Sequence, residues 1–275
     1  AGWTTDSTRY IKIWTDPAES YRHDGKWNTS KYRLDVTAAG NNSALITVQN
    51  HVEIIGIQFN RAENSIYSHY AVSLAGVLSL DSGWTHFHQN IVKASNIHES
   101  GNNSGFRFAG VNRTHRYYNN VVFDTDSTGI SDSSGQSYGY NNTVYGCAGT
   151  GITGDAGSRW INCLSYNNGT DFGGTSHGDS NYNFSKDDSA PGANSIHGDT
   201  DGKTPDFVNT GADDFHLQST SDAIGAGTDL SGTFTDDIDG DTRSAWDIGA
   251  DEYVGGAPSV KPWYYYQRNK MRRAA

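Results

Sequence analysis

A short phrase that recurs five times, with asparagine at the same place in each copy, constrains this chain most. The asparagines Asn90, Asn120, Asn142, Asn162 and Asn183 lie 30, 22, 20 and 21 residues apart. Short β-type runs carry the copies and Gly, Asn, Asp and Ser turns separate them, so the period predicts a solenoid rather than a globular sheet. Stacked coils share a core that one coil cannot form, and identical Asn side chains can hydrogen-bond from coil to coil. We therefore predict an all-β fold, a right-handed parallel β-helix, with these five asparagines as its structural ladder.

The composition agrees with a turn-dense β protein and weighs against two functional classes. The 275 residues include 32 Gly, only 5 Pro and 12% aromatic residues. The net charge is -11, and residues 256–275 carry five cations and no acid, so the charge divides into +5 for this tail and -16 for the rest. Such an acidic body disfavours nucleic-acid binding. No apolar stretch has membrane length, and we expect no membrane partner.

The chain divides into three predicted regions. Residues 1–43 form an N-terminal β segment, residues 44–254 a parallel β-helix with a terminal cap, and residues 255–275 a linker and an anchoring tail. The chain opens at Ala1 without Met, so we expect an N-terminal piece to precede it.

The end of the second region resembles a known group of proteins. Asp206–Asn209, Asp214–Leu217, Ser221–Gly227, Asp237–Asp241 and Asp247–Glu252 are similar to the closing segment of bacterial and phage right-handed β-helix repeat proteins. The opening, Gly2–Asp6 with Tyr10–Thr15, resembles β-helix proteins of phage and marine bacteria. The group includes polysaccharide-degrading enzymes, adhesins and virion proteins, so the resemblance implies the architecture far more than the function.

The tail is of a different kind. It places four aromatic residues beside cations, a pattern similar to the endings of phage structural proteins, where docking to an acidic partner is implied. We predict that its partner-binding residues are Trp263, Tyr264, Tyr265, Tyr266, Arg268, Lys270, Arg272 and Arg273.

Catalysis is the main alternative to a structural role. Two carboxylates at a suitable separation hydrolyse glycosides, and a carboxylate-bound calcium with a basic side chain eliminates across a uronide. The candidates for this chemistry are Asp124, Asp126 and Lys93. The signatures of pectin-type β-helix hydrolases, such as Gly-Asp-Asp, are absent, so scattered charge on a solvated face is the favoured interpretation.

A weak calcium site is suggested by the run Asp237, Asp239 and Asp241. Its glycine comes at the fourth position, whereas an EF-hand loop has glycine at the sixth and a Glu at the twelfth. A carboxylate-rich turn that binds backbone amides and Arg243 is the favoured interpretation, and calcium is the alternative.

Exposed rings suggest a binding function. Aromatic side chains on a rigid β face stack against sugars and also fill protein interfaces. The candidates are Trp14, Tyr21, Trp27, Tyr32, Tyr67, Tyr70, Trp84, Tyr117 and Tyr138. An anionic glycan would require Lys93, Arg107 and Arg116 to reverse the local potential.

The sequence thus favours a non-enzymatic structural or adhesive protein. The most specific form of this hypothesis is a phage decoration or fibre protein at the virion surface or outside the cell, anchored by its tail to a virion or cell-surface protein. We expect self-association, with a trimer as one possibility, and glycan binding is compatible with it. The alternative is a polysaccharide lyase or glycoside hydrolase.

Overall fold

The computed structural model describes residues 5–36, 45–47, 51–62, 70–75, 83–95, 104–109 and 114–255, and these residues are almost entirely strands and turns. The strands are β1 (Ile11–Trp14), β2 (Arg33–Val36), β3 (Leu45–Thr47), β4 (Val52–Ile55), β5 (Gln58–Ala62), β6 (Tyr70–Ala75), β7 (Trp84–His88), β8 (Ile91–Ser95), β9 (Ser104–Ala109), β10 (Thr114–Tyr118), β11 (Val121–Phe123), β12 (Thr128–Ser133), β13 (Ser137–Tyr140), β14 (Thr143–Tyr145), β15 (Thr150–Gly154), β16 (Ser158–Ile161), β17 (Leu164–Tyr166), β18 (Thr170–Gly174), β19 (Phe184–Ser185), β20 (Ile196–His197), β21 (Phe207–Asn209) and β22 (Asp214–Leu217). One helical turn, α1, spans Gly198–Asp201, and a 3-10 turn spans Thr210–Ala212.

Three parallel sheets run along the molecule. Sheet A has the order β1-β4-β7-β10-β13-β16, sheet B the order β2-β5-β8-β11-β14-β17-β19-β20, and sheet C the order β3-β6-β9-β12-β15-β18. Each of six successive coils therefore gives one strand to each sheet, as the repeat predicts for an all-β parallel solenoid. The predicted N-terminal segment, residues 1–43, supplies the first coil's strands in sheets A and B, because β1 pairs with β4 and β2 with β5.

The core lies between the three sheets and is built from columns of stacked side chains. One column of sheet A runs through Ile13, Ile54, Phe87, Tyr117, Gly139 and Trp160. A Cβ at Gly139 would lie 2.6 Å from the Trp160 ring and 2.7 Å from the Tyr117 ring, so the two aromatic residues take the space that a side chain would need. From Ile54 onward the side chains of this column are at most 2% exposed.

The corner between sheets A and B explains the Asn-rich repeat. Its first residue has a left-handed backbone, with φ of 55° at Gln89, 54° at Asn119, 46° at Asn141 and 57° at Asn162. Asn adopts this conformation more readily than most residues because its short polar side chain bonds locally. The second residue of the corner turns its side chain into the ladder described below.

Residues 206–254, which we name the closing segment, cover the outer face of sheet B. Phe215 and Ile238 pack against Ile91, Val121 and Phe123, and further along the sheet Leu217, Ala223 and Ile248 pack against Leu164 and Phe184. Sheet B is therefore buried on both faces. The sequence predicted a terminal cap here, whereas the segment lies along the side of the solenoid, because the outer side chains of sheet B are themselves apolar and need cover.

Candidate binding face

The outer face of sheet A, which we name the sheet A face, carries two aligned rows of large side chains. The first row, which we name the middle row, consists of residues that the strand register places side by side on neighbouring strands: Lys12, Glu53, His86, Arg116, Tyr138 and Arg159. The second row, the corner row, contains Trp14, Ile55, His88, Tyr118, Tyr140 and Ile161. Because side chains two residues apart point to the same side of a strand, both rows face away from the core.

Aromatic rings are stacked along the corner row. The His88 and Tyr118 rings are 4.4 Å apart with an interplanar angle of 8°, and Phe234 of the closing segment stacks on Tyr118 at 4.6 Å. Phe234 in turn contacts Trp246 at 5.5 Å. The closing segment thus covers this part of the corner row, where His88 and Tyr140 are each 8% exposed, and holds the rings in place.

A second group of rings lies towards the first coils. Trp84 stacks on His86 at 4.3 Å, and its other neighbours are Tyr10 at 5.2 Å and His51 at 5.5 Å. In the first coil Trp14 is 45% exposed, with the Lys12 ammonium 5.0 Å from its ring. The face therefore offers exposed ring surface on rigid strands.

The middle row has a cationic centre. The Arg116 and Arg159 guanidinium groups lie 5.8 Å and 5.1 Å from the Tyr138 ring. Arg159 pairs with Asp179 at 3.2 Å and Lys12 with Glu53 at 3.4 Å, but within the described parts of the chain no ion pair joins Arg116 to a carboxylate. Burial and the Arg116 charge lower the pKa of His86 to about 4, so His86 is neutral at pH 7.

This arrangement suits a ligand that has apolar faces to contact aromatic rings and also has anionic groups that accept hydrogen bonds. Tyr and Trp present an apolar body with a polar edge, which matches the alternating polarity of a sugar. Guanidinium groups bind carboxylate or sulfate with two parallel hydrogen bonds. Of the cations that the sequence offered for an anionic glycan, Arg116 lies on this face, whereas Arg107 lies on sheet C, 4.9 Å from the Tyr70 ring.

Several predicted exposed aromatics have other positions. Tyr117 is buried in the core, where its hydroxyl donates to Asp132 at 2.9 Å. Successive side chains of a strand point to opposite faces, so Tyr117 points inward and its neighbour Tyr118 points outward. Trp27 packs edge-on against Phe123 under the closing segment. Tyr67 and the tail residues Trp263–Arg273 lie outside the described residues.

The catalytic candidates lie beside the closing segment. The Lys93 ammonium is 2.8 Å from Asp213 and 3.4 Å from Asp124, so the structure brings Lys93 and Asp124 together. Partial burial and the charge of Asp124 raise the pKa of the exposed Asp126. Lys93 is held between two carboxylates and contributes to closing-segment attachment, which is the role its contacts support best.

The predicted calcium residues are only partly brought together. Carboxylate oxygens of Asp237, Asp239 and Asp251 lie within 4.8 Å of one another, so Asp251 joins the cluster that the sequence assigned to Asp237, Asp239 and Asp241. Asp241 meets Asp237 through its backbone instead, its N–H donating to Asp237 Oδ1 at 2.6 Å. The turn folds back on itself here, which directs the Asp241 backbone towards Asp237.

The positive charge of His216 compensates part of the negative charge of this acidic cluster. Burial alone would lower the pKa of His216, but its hydrogen bonds to Asp214 and Asp239 outweigh burial and raise it to about 11. His216 Nδ1 is 2.5 Å from Asp214 Oδ1 and its Nε2 is 3.7 Å from Asp239 Oδ2. Burial raises the pKa of Asp251 to about 6. Carboxylate oxygens such as those of Asp237, Asp239 and Asp251 are the ligands that calcium takes in proteins, so calcium is the alternative for this cluster.

The asparagine ladder is continuous through three coils. Asn120 Oδ1 accepts the backbone N–H of Asn90 at 3.0 Å and its side-chain amide at 3.2 Å. Asn142 Oδ1 accepts the same two groups of Asn120 at 3.2 Å and 2.9 Å. In a later coil Asn183 Oδ1 accepts the backbone N–H of Cys163 at 2.9 Å.

Asn162 is not part of this ladder, and its assignment from sequence was wrong by one residue. Tyr140 pairs with Ile161 in the register, so Asn142 lies opposite Cys163 and Asn162 opposite Asn141. The Cys163 thiol occupies the ladder position, 3.8 Å from the Asn142 amide nitrogen. At this coil a cysteine thiol therefore takes the place of the asparagine amide in the ladder.

Asn162 belongs instead to a second, outer ladder that sequence reasoning missed. Asn162 Nδ2 donates to Thr228 O at 2.8 Å and Oδ1 accepts the Thr228 N–H at 2.9 Å. Asn141 Nδ2 donates to Asp247 O at 2.7 Å, and Asn119 Nδ2 donates to Asp236 O at 2.7 Å. Asn162 Nδ2 also donates to Asn141 Oδ1 of the preceding coil at 3.1 Å. The paired residues in Asn119-Asn120 and Asn141-Asn142 were the available signal, because the second Asn of each pair belongs to the inner ladder and the first donates to the closing segment.

No family model, curated protein or solved structure matches this chain. In the described parts of the chain no helix has the length and apolar character to cross a membrane.

Proposed function

We propose that this chain is a structural and adhesive solenoid of the right-handed β-helix type whose sheet A face binds a surface glycan. The observation that carries this proposal is the sheet A face itself, where rings and cations stand in register on six rigid strands. Right-handed winding is proposed because parallel strand–crossover–strand connections are nearly always right-handed.

The other two sheets support this choice of face. Sheet B is covered by the closing segment. The outward positions of sheet C include Ser131, Thr153 and Gly173 opposite one another, which offer little ring surface. Exposed aromatic side chains held by strands lose little conformational entropy on binding, because the backbone beneath them is already ordered.

We further propose display on a virion or cell surface, anchored by residues 256–275. The tail combines four aromatic residues with five cations and would fit an acidic, partly apolar protein surface. In this arrangement the acidic solenoid projects outward. Assembly of several copies, such as a trimer, would present several sheet A faces at once and raise the avidity for a repeating polymer.

A catalytic role is the second candidate, supported by one observation. Lys93, Asp124 and Asp126 are neighbours on the rim of the closing segment, and the raised pKa of Asp126 is a property of general acids. A polysaccharide lyase or glycoside hydrolase would act there.

The test is retention of the purified chain on immobilised neutral and acidic glycans, with reducing ends and unsaturated uronate absorbance followed in the same samples. Trp14→Ala on the sheet A face should weaken retention, and Tyr32→Ala is the matched control, because Trp14 is 45% and Tyr32 49% exposed. Failure of the folded protein to bind any glycan would refute adhesion by this face. Turnover that is lost in Asp126→Asn would establish the catalytic alternative.

Anchoring is tested separately by deleting residues 256–275. The shortened chain should keep its thermal unfolding profile and lose its association with the particle or cell envelope. Unchanged association would show that the tail is not the anchor.

A further inference from the structure

We propose that the sheet A face takes an acidic polysaccharide that lies along the stacking direction of the coils, with about one acidic group per disaccharide. This inference rests on the proposed adhesive function and adds the charge, orientation and repeat of the ligand.

The charge of the ligand follows from the middle row. Lys12, Arg116 and Arg159 stand in one line, and two of these cations already have carboxylate neighbours, Glu53 and Asp179. Arg116 is exposed and has no ion pair with any residue that the structure describes, so its guanidinium is the strongest available anion site on this face. A carboxylate or sulfate on Arg116 would form charge-assisted hydrogen bonds.

The orientation follows from the alignment of the row. Parallel strands are about 4.8 Å apart, so the five coil steps from Lys12 to Arg159 span about 24 Å along the solenoid. A polymer that crossed the coils at right angles would meet only one or two of these cations. A polymer parallel to the solenoid axis would meet all three and would also pass over the Tyr138 ring.

The spacing of the acidic groups follows from Tyr138. Arg116 and Arg159 flank this ring from coils on either side of it, and the two coil steps between them amount to about 10 Å. This distance is close to the length of a disaccharide unit. A polymer that passes over the outer edge of the Tyr138 ring, whose two sides the guanidinium groups already occupy, would therefore place acidic groups of neighbouring units at Arg116 and Arg159.

A nucleic acid is the competing polyanion, and the observations favour the glycan. The chain has a net charge of -11, and Glu53 and Asp179 are interleaved with the cations of the face itself. A nucleic acid carries a charge at every nucleotide and is bound by continuous basic surfaces. A polymer with more widely spaced charges avoids the intervening carboxylates.

The experiment measures the affinity of the full chain by titration calorimetry. The probes are hyaluronate, which has one carboxylate per disaccharide, its carboxyl-reduced neutral form, and a single-stranded oligothymidylate. We expect binding to hyaluronate that weakens with added salt, and affinity for the neutral form lower by about tenfold or more. Arg116→Gln should weaken hyaluronate binding by about tenfold, the effect of losing one charge-assisted contact. Arg107→Gln is the matched control, since Arg107 also lies over a tyrosine ring but on sheet C, and it should leave the affinity unchanged.

Each contrary result has a distinct meaning. Equal binding of the neutral form, with sensitivity to Trp14→Ala, would overturn the acidic ligand and leave the adhesive function standing. Equal losses in Arg116→Gln and Arg107→Gln, or tighter binding of the oligothymidylate, would overturn the assignment of a glycan to this row. Failure of the folded chain to bind either polysaccharide would overturn the inference, and failure across the wider glycan panel would overturn the proposed function as well.

Discussion

Arg243 is the residue whose loss should most weaken the attachment of the closing segment. Its side chain is fully buried. One terminal nitrogen donates to Asn119 Oδ1 at 2.9 Å, to Gly249 O at 3.0 Å and to Ala250 O at 2.8 Å, and the other lies 3.5 Å from Glu252 Oε2. Arg243 therefore joins the corner of the fourth coil to the closing segment.

Replacing Arg243 with Met keeps much of the volume and removes every one of these hydrogen bonds. Removing one partner of a buried ion pair costs about 3–5 kcal/mol, because the remaining charge stays buried without compensation. For a protein of this size each kcal/mol lowers the Tm by about 2–4 °C, so we expect a decrease of about 6–20 °C. Arg243→Lys keeps the charge but loses the planar fork, and its Tm should fall between those of the wild type and Arg243→Met.

The assay is thermal unfolding followed by circular dichroism, with limited proteolysis to identify the segment released first. The control is Arg9→Met, because Arg9 pairs with Asp6 on the exposed surface and such pairs contribute little. In the Arg243→Met protein we expect early cleavage between residues 206 and 254. A Tm for Arg243→Met that matches the Arg9→Met control would refute the argument that Arg243 holds the segment in place.

Three further results are expected. Asn120→Ala removes the acceptor for two Asn90 donors, so it should lower the stability by about 1–3 kcal/mol, while Gln136→Ala at an exposed turn should not; similar denaturation midpoints for both variants would contradict the ladder. Burial raises the pKa of Asp247 and Asp251 to about 6, so these two carboxyl groups bind more protons in the folded protein than in the unfolded chain between about pH 4 and pH 6, and the stability that they contribute is lost as the pH rises through that range. His23 and His86 act in the opposite direction, because burial lowers their pKa values to about 3 and about 4. Asp251→Asn removes one of these carboxyl groups, so its Tm relative to the original chain should rise between pH 4 and pH 6, and a difference that does not change with pH would count against it. Calcium is the alternative for the cluster of Asp237, Asp239 and Asp251: if it binds there, millimolar calcium should raise the Tm of the original chain relative to excess EDTA and should not do so in Asp239→Asn, whereas equal values in the original chain would show that calcium does not bind.

The repeat was predictable from sequence because the coils are local in the chain. Each Asn of the ladder follows a short strand, and the period of about twenty residues identifies the stacking without tertiary information. The error at Asn162 has a simple origin, since the Asn119-Asn120 and Asn141-Asn142 pairs occupy both corner positions while the sixth coil has a single Asn. A lone Asn in the phrase does not reveal which of the two positions it fills.

The position of the closing segment and the identity of the sheet A face were not predictable. The contact between Asn141 and Asp247 joins residues 106 apart in the chain, and no local pattern specifies such a contact. The middle row depends on the exact register of coils whose lengths differ, and an offset of one residue exchanges an inward side chain such as Tyr117 for an outward one such as Tyr118.

The closing segment also fixes how many coils this molecule can have. Solenoids commonly gain or lose repeats during evolution, since each repeat contacts only its neighbours. Here Asp214 is bonded to Lys26 of the first coil, and Thr228 is bonded to Asn162 of the sixth. Duplicating one coil between them would separate these two anchor points by about 4.8 Å more, and the segment would have to lengthen to match. The length of the closing segment is thus matched to the number of coils between its two anchor points, and related chains with a different number of coils should also differ in the length of this segment.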